Sequence, residues 1–123
     1  MKTLFEQMKR SASAILQNAE KDQYTQAIVL LSASGNEYST IINNALSEDK
    51  NQETAFLEEI KSKQDTEIRY ILCMWQDNGC IDIPSFAFRK MLCSLDERNS
   101  DSLLFVMKAD NKVSERRLAS TLK

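Results

Sequence analysis

Gly35, Gly79 and Pro84 are the only glycines and the only proline in 123 residues. Hairpins and long loops draw on these two residue types for positive φ and for fixed turns, so a chain with so few of them reads as helix after helix. Two of the three fall within Asn78-Gly79-Cys80-Ile81-Asp82-Ile83-Pro84, which marks the main interruption. Valine is confined to Val29, Val106 and Val113, and leucine, isoleucine, alanine and methionine carry the apolar content, which again leans towards helix.

Periodicity fills in the elements. Thr3 and Glu6 fit a capping box, and Leu4, Phe5, Met8, Ala12, Ile15, Leu16 and Ala19 fall on one helical face over 4–20. Asp22 is placed to cap a second helix through Tyr24, Ala27, Ile28 and Leu31, ended by Gly35 in the left-handed conformation. Asn36 opens a short third helix through Tyr38, Ile41, Ile42, Ala45 and Leu46. From 52 to 78 no breaker occurs; Phe56, Leu57, Ile60, Ile68, Ile71, Leu72 and Trp75 keep helical spacing, and Asp65 and Arg69 make an i,i+4 pair. Beyond Pro84, Ser85 caps a helix over 85–96, and shorter ones follow over 101–109 and 114–122. The expected fold is therefore mainly α, a compact bundle of six or seven helices in a single domain over 1–123, with a helical layer at 1–78 and three short helices at 85–123. The alternative is α+β: N-terminal helices, a hairpin near 68–83 turning at Asn78-Gly79, and a strand near 103–107.

Composition removes much chemistry. The chain has no histidine, which excludes Ser-His-Asp and Cys-His nucleophile systems and histidine-bearing zinc sites. Cys73, Cys80 and Cys93 lack a paired C-x-x-C spacing and read as reduced thiols. Two glycines 44 residues apart form no phosphate-cradling loop. Carboxylate pairs such as Glu58-Glu59 read as a solvated helix face. Net charge is −2: residues 1–65 hold 7 basic and 10 acidic side chains, and residues 66–123 hold 9 and 8, without the bias of a dedicated nucleic-acid binder. Met1-Lys2-Thr3-Leu4-Phe5-Glu6 opens no apolar run and no stretch approaches a membrane span, so a cytoplasmic protein without membrane contact is expected.

Three short segments resemble known motifs. Residues 78–86 resemble the second half of an EF-hand calcium loop, with Gly79, Ile81 and Asp82 at the right offsets. In that register Met74 and Ser85 take the first and last ligand positions, neither suited to calcium, so no metal is expected. Val113–Lys123 resembles the second helix of a helix-turn-helix, with Lys112 in place of the usual turn glycine. The resemblance implies Arg116 and Arg117 on bases or phosphates and Lys112 and Lys123 on the backbone. Asp22 to Ser34, with Tyr24, Ala27, Leu30 and Leu31, resembles one helix of a tetratricopeptide hairpin, in a single copy.

Tyr70 and Trp75 sit in a segment that is apolar nearly all round, and are either core or the anchors of a partner surface. Together these features imply a non-catalytic, structural or regulatory helical protein that binds a protein partner or itself as a homodimer. It would have no catalytic residue and no cofactor. The alternative is a DNA-binding regulator using 101–122.

Overall fold

The computed structural model describes residues 2–20 and 24–122. Helix α1 spans Lys2–Gln17, strands β1 (Gln26–Ser32) and β2 (Glu37–Ile42) form a hairpin, and α2 covers Asn51–Ser62. Strand β3 (Ile68–Trp75), the short β4 (Ile81–Asp82), α3 (Phe86–Leu95), β5 (Leu103–Met107) and β6 (Val113–Arg117) follow, with 3-10 turns at Glu97–Asp101 and Leu118–Thr121. The sheet runs β2-β1-β3-β5-β6, and β4 pairs with β3 as well. β1 is antiparallel to both β2 and β3, whereas β3 and β5 are parallel.

A mixed sheet with three α-helices among the described residues overturns the expectation of an all-α bundle of six or seven helices. The physical reason lies in β1 and β3. Ile28 and Leu30 pack with α2 and α3, while Ala27 and Val29 pack under α1. A strand buried on both faces loses the alternation that marks a half-exposed strand, and its apolar run matches helical spacing equally well. The second expected helix is thus β1, and the third is β2; Asp22, its expected cap, lies outside the described residues. The tetratricopeptide resemblance falls with that helix. The long helix over 52–78 ends at Ser62, and β3 begins at Ile68. Residues 101–109 and 114–122 hold β5, β6 and a 3-10 turn, so no helix-turn-helix exists there.

Two glycines do the work expected of hairpin turns. Gly35 closes the β1–β2 turn at φ +90°, its N–H donating to Ser32 O at 3.0 Å. Gly79, at φ +69°, donates to Trp75 O at 2.9 Å and reverses the chain into β4, where Cys73 pairs with Asp82 and Met74 with Ile81. The segment that resembled a calcium loop is this turn and its return strand.

The core has two halves. Phe5, Met8, Ala12 and Leu16, at helical spacing on α1, bury against Ala27, Val29, Leu72, Met74, Ile81 and Phe105. On the other face Phe56, Leu57 and Ile60 of α2 and Phe88 and Leu92 of α3 meet Ile28, Leu30, Ile71 and Leu104. Each of these side chains larger than alanine contributes about 1.5–3 kcal/mol of transfer free energy. No helix among the described residues is long and apolar enough to cross a membrane.

Candidate functional site

Topology places two helix starts at one end of the sheet. β2 and β3 both run antiparallel to β1 and so point the same way, and β5 is parallel to β3. α2 follows β2, and α3 follows β3 and its two-residue return strand β4, which pairs with Cys73 and Met74 at the carboxyl end of β3. Both helices lie on the face opposite α1, and Thr54 Oγ1 of α2 approaches Met91 Sδ of α3 at 3.7 Å. Open α/β sheets bind ligands outside such carboxyl ends.

The start of α2 is built from the loop after β2. Asp49 Oδ1 accepts the Asn51 N–H at 2.9 Å, and Gln52 Oε1 accepts the Asn43 N–H at 2.9 Å. Glu53 is buried, 3% exposed, in the first turn, where the helix dipole favours negative charge. Lys50 Nζ lies 3.4 Å from Glu53 Oε2 and donates to Ala45 O at 2.9 Å.

At the start of α3, Pro84 precedes Ser85, the residue expected from the sequence as the cap; Ser85 Oγ accepts the Phe88 N–H at 3.2 Å. Phe88 is fully buried. Arg89, also buried, donates from Nε to Pro84 O at 2.9 Å and from Nη1 to Thr121 O at 2.7 Å, clipping the chain's last turn to this helix. Burial lowers its pKa from the ordinary guanidinium value, and the neighbouring Arg116 charge adds to that.

This three-layer arrangement, with α1 on one face and α2 and α3 on the other, is shared with solved structures of cytidine deaminases. The chain is similar to the crystal structure of cytidine deaminase from Mycobacterium leprae (TM-score 0.68, 14% identity, 96% of each chain covered). It is also similar to a mutant cytidine deaminase from Mycobacterium tuberculosis (0.68, 16%, 96% of this chain and 93% of that one) and to the enzyme from Bacillus anthracis (0.69, 13%, 94% and 84%). No family model and no curated protein matches the sequence. At these identities the likeness establishes the fold. It overturns the expectation of a non-catalytic helical interaction protein and the DNA-binding alternative, since both were drawn from helices the chain does not form. The expectation from composition that the chain is not an enzyme also falls, since the fold is one on which enzymes are built.

Zinc deaminases hold their metal with His or Cys in a H-x-E element and two thiolates in P-C-x-x-C, the glutamate serving as acid and base. At the starts of α2 and α3 this chain carries Asn51-Gln52-Glu53 and Pro84-Ser85-Phe86-Ala87-Phe88. The glutamate, the proline and both spacings are present; where those patterns have their three ligands, this chain has Asn51, Ser85 and Phe88. Ser85 Oγ is taken up as a helix cap and Phe88 offers no donor atom. Among the described residues no group of three or more His, Cys, Asp or Glu side chains gathers elsewhere. These residues do not fit a catalytic zinc ion.

The side chains singled out from the sequence lie elsewhere. Tyr70, half-buried on β3, stacks on Phe105 with ring centroids 5.5 Å apart, and Trp75, half-buried at the end of β3, packs at the border of the α2/α3 core. Lys112 is exposed in the β5–β6 turn, and Arg116 and Arg117 are exposed on edge strand β6, where Arg117 Nη2 pairs with Asp101 at 2.6 Å. Lys123 lies outside the described residues. Glu58 and Glu59 are exposed on α2, and Lys63 reaches Glu59 at 3.5 Å. Glu53, Lys50, Phe88 and Arg89 were not singled out. The two helix-start patterns and their spacing were the available signal, legible only when the metal-binding letters are set aside.

Proposed function

We propose that this chain handles a pyrimidine nucleoside or base beside the starts of α2 and α3, with Glu53 as the carboxylate that meets the ring. The observation that carries this reading is Glu53: a buried glutamate in the first turn of α2, at the acid–base position of a deaminase frame whose proline and spacings are kept. The fold of cytidine deaminases over 96% of the chain supports the choice of ligand class. A carboxylate accepts hydrogen bonds from an exocyclic amino group or a ring N–H, the edge by which a pyrimidine is read. Hydrolysis by zinc-bound hydroxide is not part of the proposal, because the donor set does not supply the metal.

Titration of the labelled protein with cytidine, uridine, cytosine and adenosine, followed by amide chemical shifts, tests it. Cytidine or uridine is expected to move amides in 43–54 and 84–89, and Glu53→Gln to weaken binding at least tenfold, about 1.4 kcal/mol. No pyrimidine response at millimolar ligand, or equal binding by the variant, overturns it. Ammonia release in the same samples decides whether the bound ring is turned over.

A further inference from the structure

A zinc ion in a deaminase frame does two separate things: it activates water, and it sets positive charge beside a buried carboxylate. The second requirement survives in this chain although the metal ligands do not. Glu53 is 3% exposed, and a carboxylate taken out of water is costly to keep ionised unless a cation and hydrogen-bond donors stand next to it. One residue ahead of the first ligand position, Lys50 brings its ammonium to 3.4 Å from Glu53 Oε2. The same ammonium donates to Ala45 O at 2.9 Å, so it is held by the β2–α2 loop as well as by α2. Its side chain is 18% exposed and its partner's 4%, which sets the pair apart from the surface bridges of the molecule, such as Lys63–Glu59 with 52% and 64%. At the positions of the two thiolates, the cap Ser85 and the buried Phe88 close the start of α3 by packing and hydrogen bonding instead of coordination.

We infer that Lys50 is a resident cation that takes over the electrostatic place of the metal: the Lys50–Glu53 pair, tied to Ala45 O, lets this deaminase frame fold metal-free and disfavours a divalent ion beside Glu53. The inference does not rest on the pyrimidine reading, and it is tested with no ligand present, so each stands or fails alone.

Metal content and thermal melting of the full chain, after chelator treatment and after addition of excess zinc, give the first readout. No bound zinc and an unchanged Tm are expected; one zinc per chain with a raised Tm overturns the inference. A double-mutant cycle gives the second. Lys50→Met leaves Glu53 without its cation and is expected to lower Tm by about 10 °C or more, on the scale of melting shifts in a domain of this size. Lys50→Arg, which keeps the charge, is expected to retain most of the stability. Lys50→Met combined with Glu53→Gln is expected to melt well above the sum of the two single losses, because the uncompensated charge is gone. If Lys50→Met alone is too unstable to purify, the Lys50→Arg and double variants still decide: a double variant that fails to fold overturns the pairing. Strict additivity, or an Arg variant as unstable as the Met variant, overturns it too.

Discussion

Phe88 shows at a single residue how the start of α3 is held by packing. Its ring is fully buried among Phe56, Leu92 and Leu104. Phe88→Ala should therefore cost about 3–5 kcal/mol in a urea unfolding series, as large-to-small changes in well-packed cores do. Asp65 is a second informative residue. One oxygen accepts from Ser32 Oγ at 2.8 Å, Asn36 Nδ2 at 2.9 Å and Tyr38 Oη at 2.7 Å, tying the β1–β2 hairpin to the loop before β3. These bonds, the tyrosine's first, hold its carboxyl down at about 2. A depressed folded pKa gives stability that is fully present above the unfolded value of about 3.9 and is lost as pH falls towards the folded value. The stability difference between wild type and Asp65→Asn, read from urea midpoints, should thus be constant above about pH 5 and shrink between pH 4 and 2; a difference that grows on acidification contradicts the assignment. Asp65 was paired with Arg69 across a helix in the sequence reading, since i,i+4 charges are local and the Ser32–Asn36–Tyr38 cluster is not. Glu53 is different: helical spacing already sets it on the face of Phe56, Leu57 and Ile60 and leaves Glu58 and Glu59 outside, but what that face meets is not local.

Among the elements, α1 and α3 were legible; β3, its return strand β4 and β5 were legible only in the alternative of a hairpin near 68–83 and a strand near 103–107, and β1, β2 and β6 were not. α1 buries a single stripe of side chains and leaves the rest to water, which is the pattern helical periodicity detects. α3 announces itself through Pro84 and the cap Ser85. Ser85→Ala should cost about 1 kcal/mol, the usual value of an N-cap hydroxyl, as measured by thermal unfolding. β1 and β3 lie between two helical layers and carry apolar residues on both faces, so their sequences hold no period of two to find. Asn99 illustrates what joins elements that look unrelated in sequence. Fully buried in the 3-10 turn after α3, its Oδ1 accepts the Ile68 N–H at 2.7 Å, and its Nδ2 donates to Thr66 O at 3.0 Å and Leu92 O at 2.9 Å. It thereby sets the start of β3 against the end of α3. Asn99→Leu leaves the buried Ile68 N–H without its acceptor and takes a donor from Thr66 O and Leu92 O, and should lower stability by about 1–3 kcal/mol in denaturant unfolding, the cost of a buried group left unpaired; a neutral effect would show that water reaches the turn.

For the molecule as a whole, the sheet order sets which parts open last. β3 pairs with β1, β4 and β5, and β1 with β2 and β3, and both strands are covered on each face by helices. β6 is the opposite case: an edge strand whose Glu115, Arg116 and Arg117 are exposed, with charges that discourage pairing to another chain. Opening free energies in a domain rise from frayed edges to the central strands. Amides of Ile28–Leu30 and Ile71–Cys73 should therefore exchange most slowly with deuterated solvent, and those of 113–117 among the fastest of the strands. The Arg89 clip refines this order. It ties Thr121 O to the start of α3, and the Leu118 N–H donates to Ser102 O at 2.8 Å, so the turn after β6 is held at two points although β6 itself is an edge. Arg89→Ala removes one of these points and leaves Pro84 O without its guanidinium donor. Protection should then fall at 118–122 and at the first turn of α3 while β1 and β3 keep theirs under conditions where the fold persists. Loss of protection spread evenly over the sheet would mean that the C-terminal turn is part of the central cooperative unit and not a strap fastened across it.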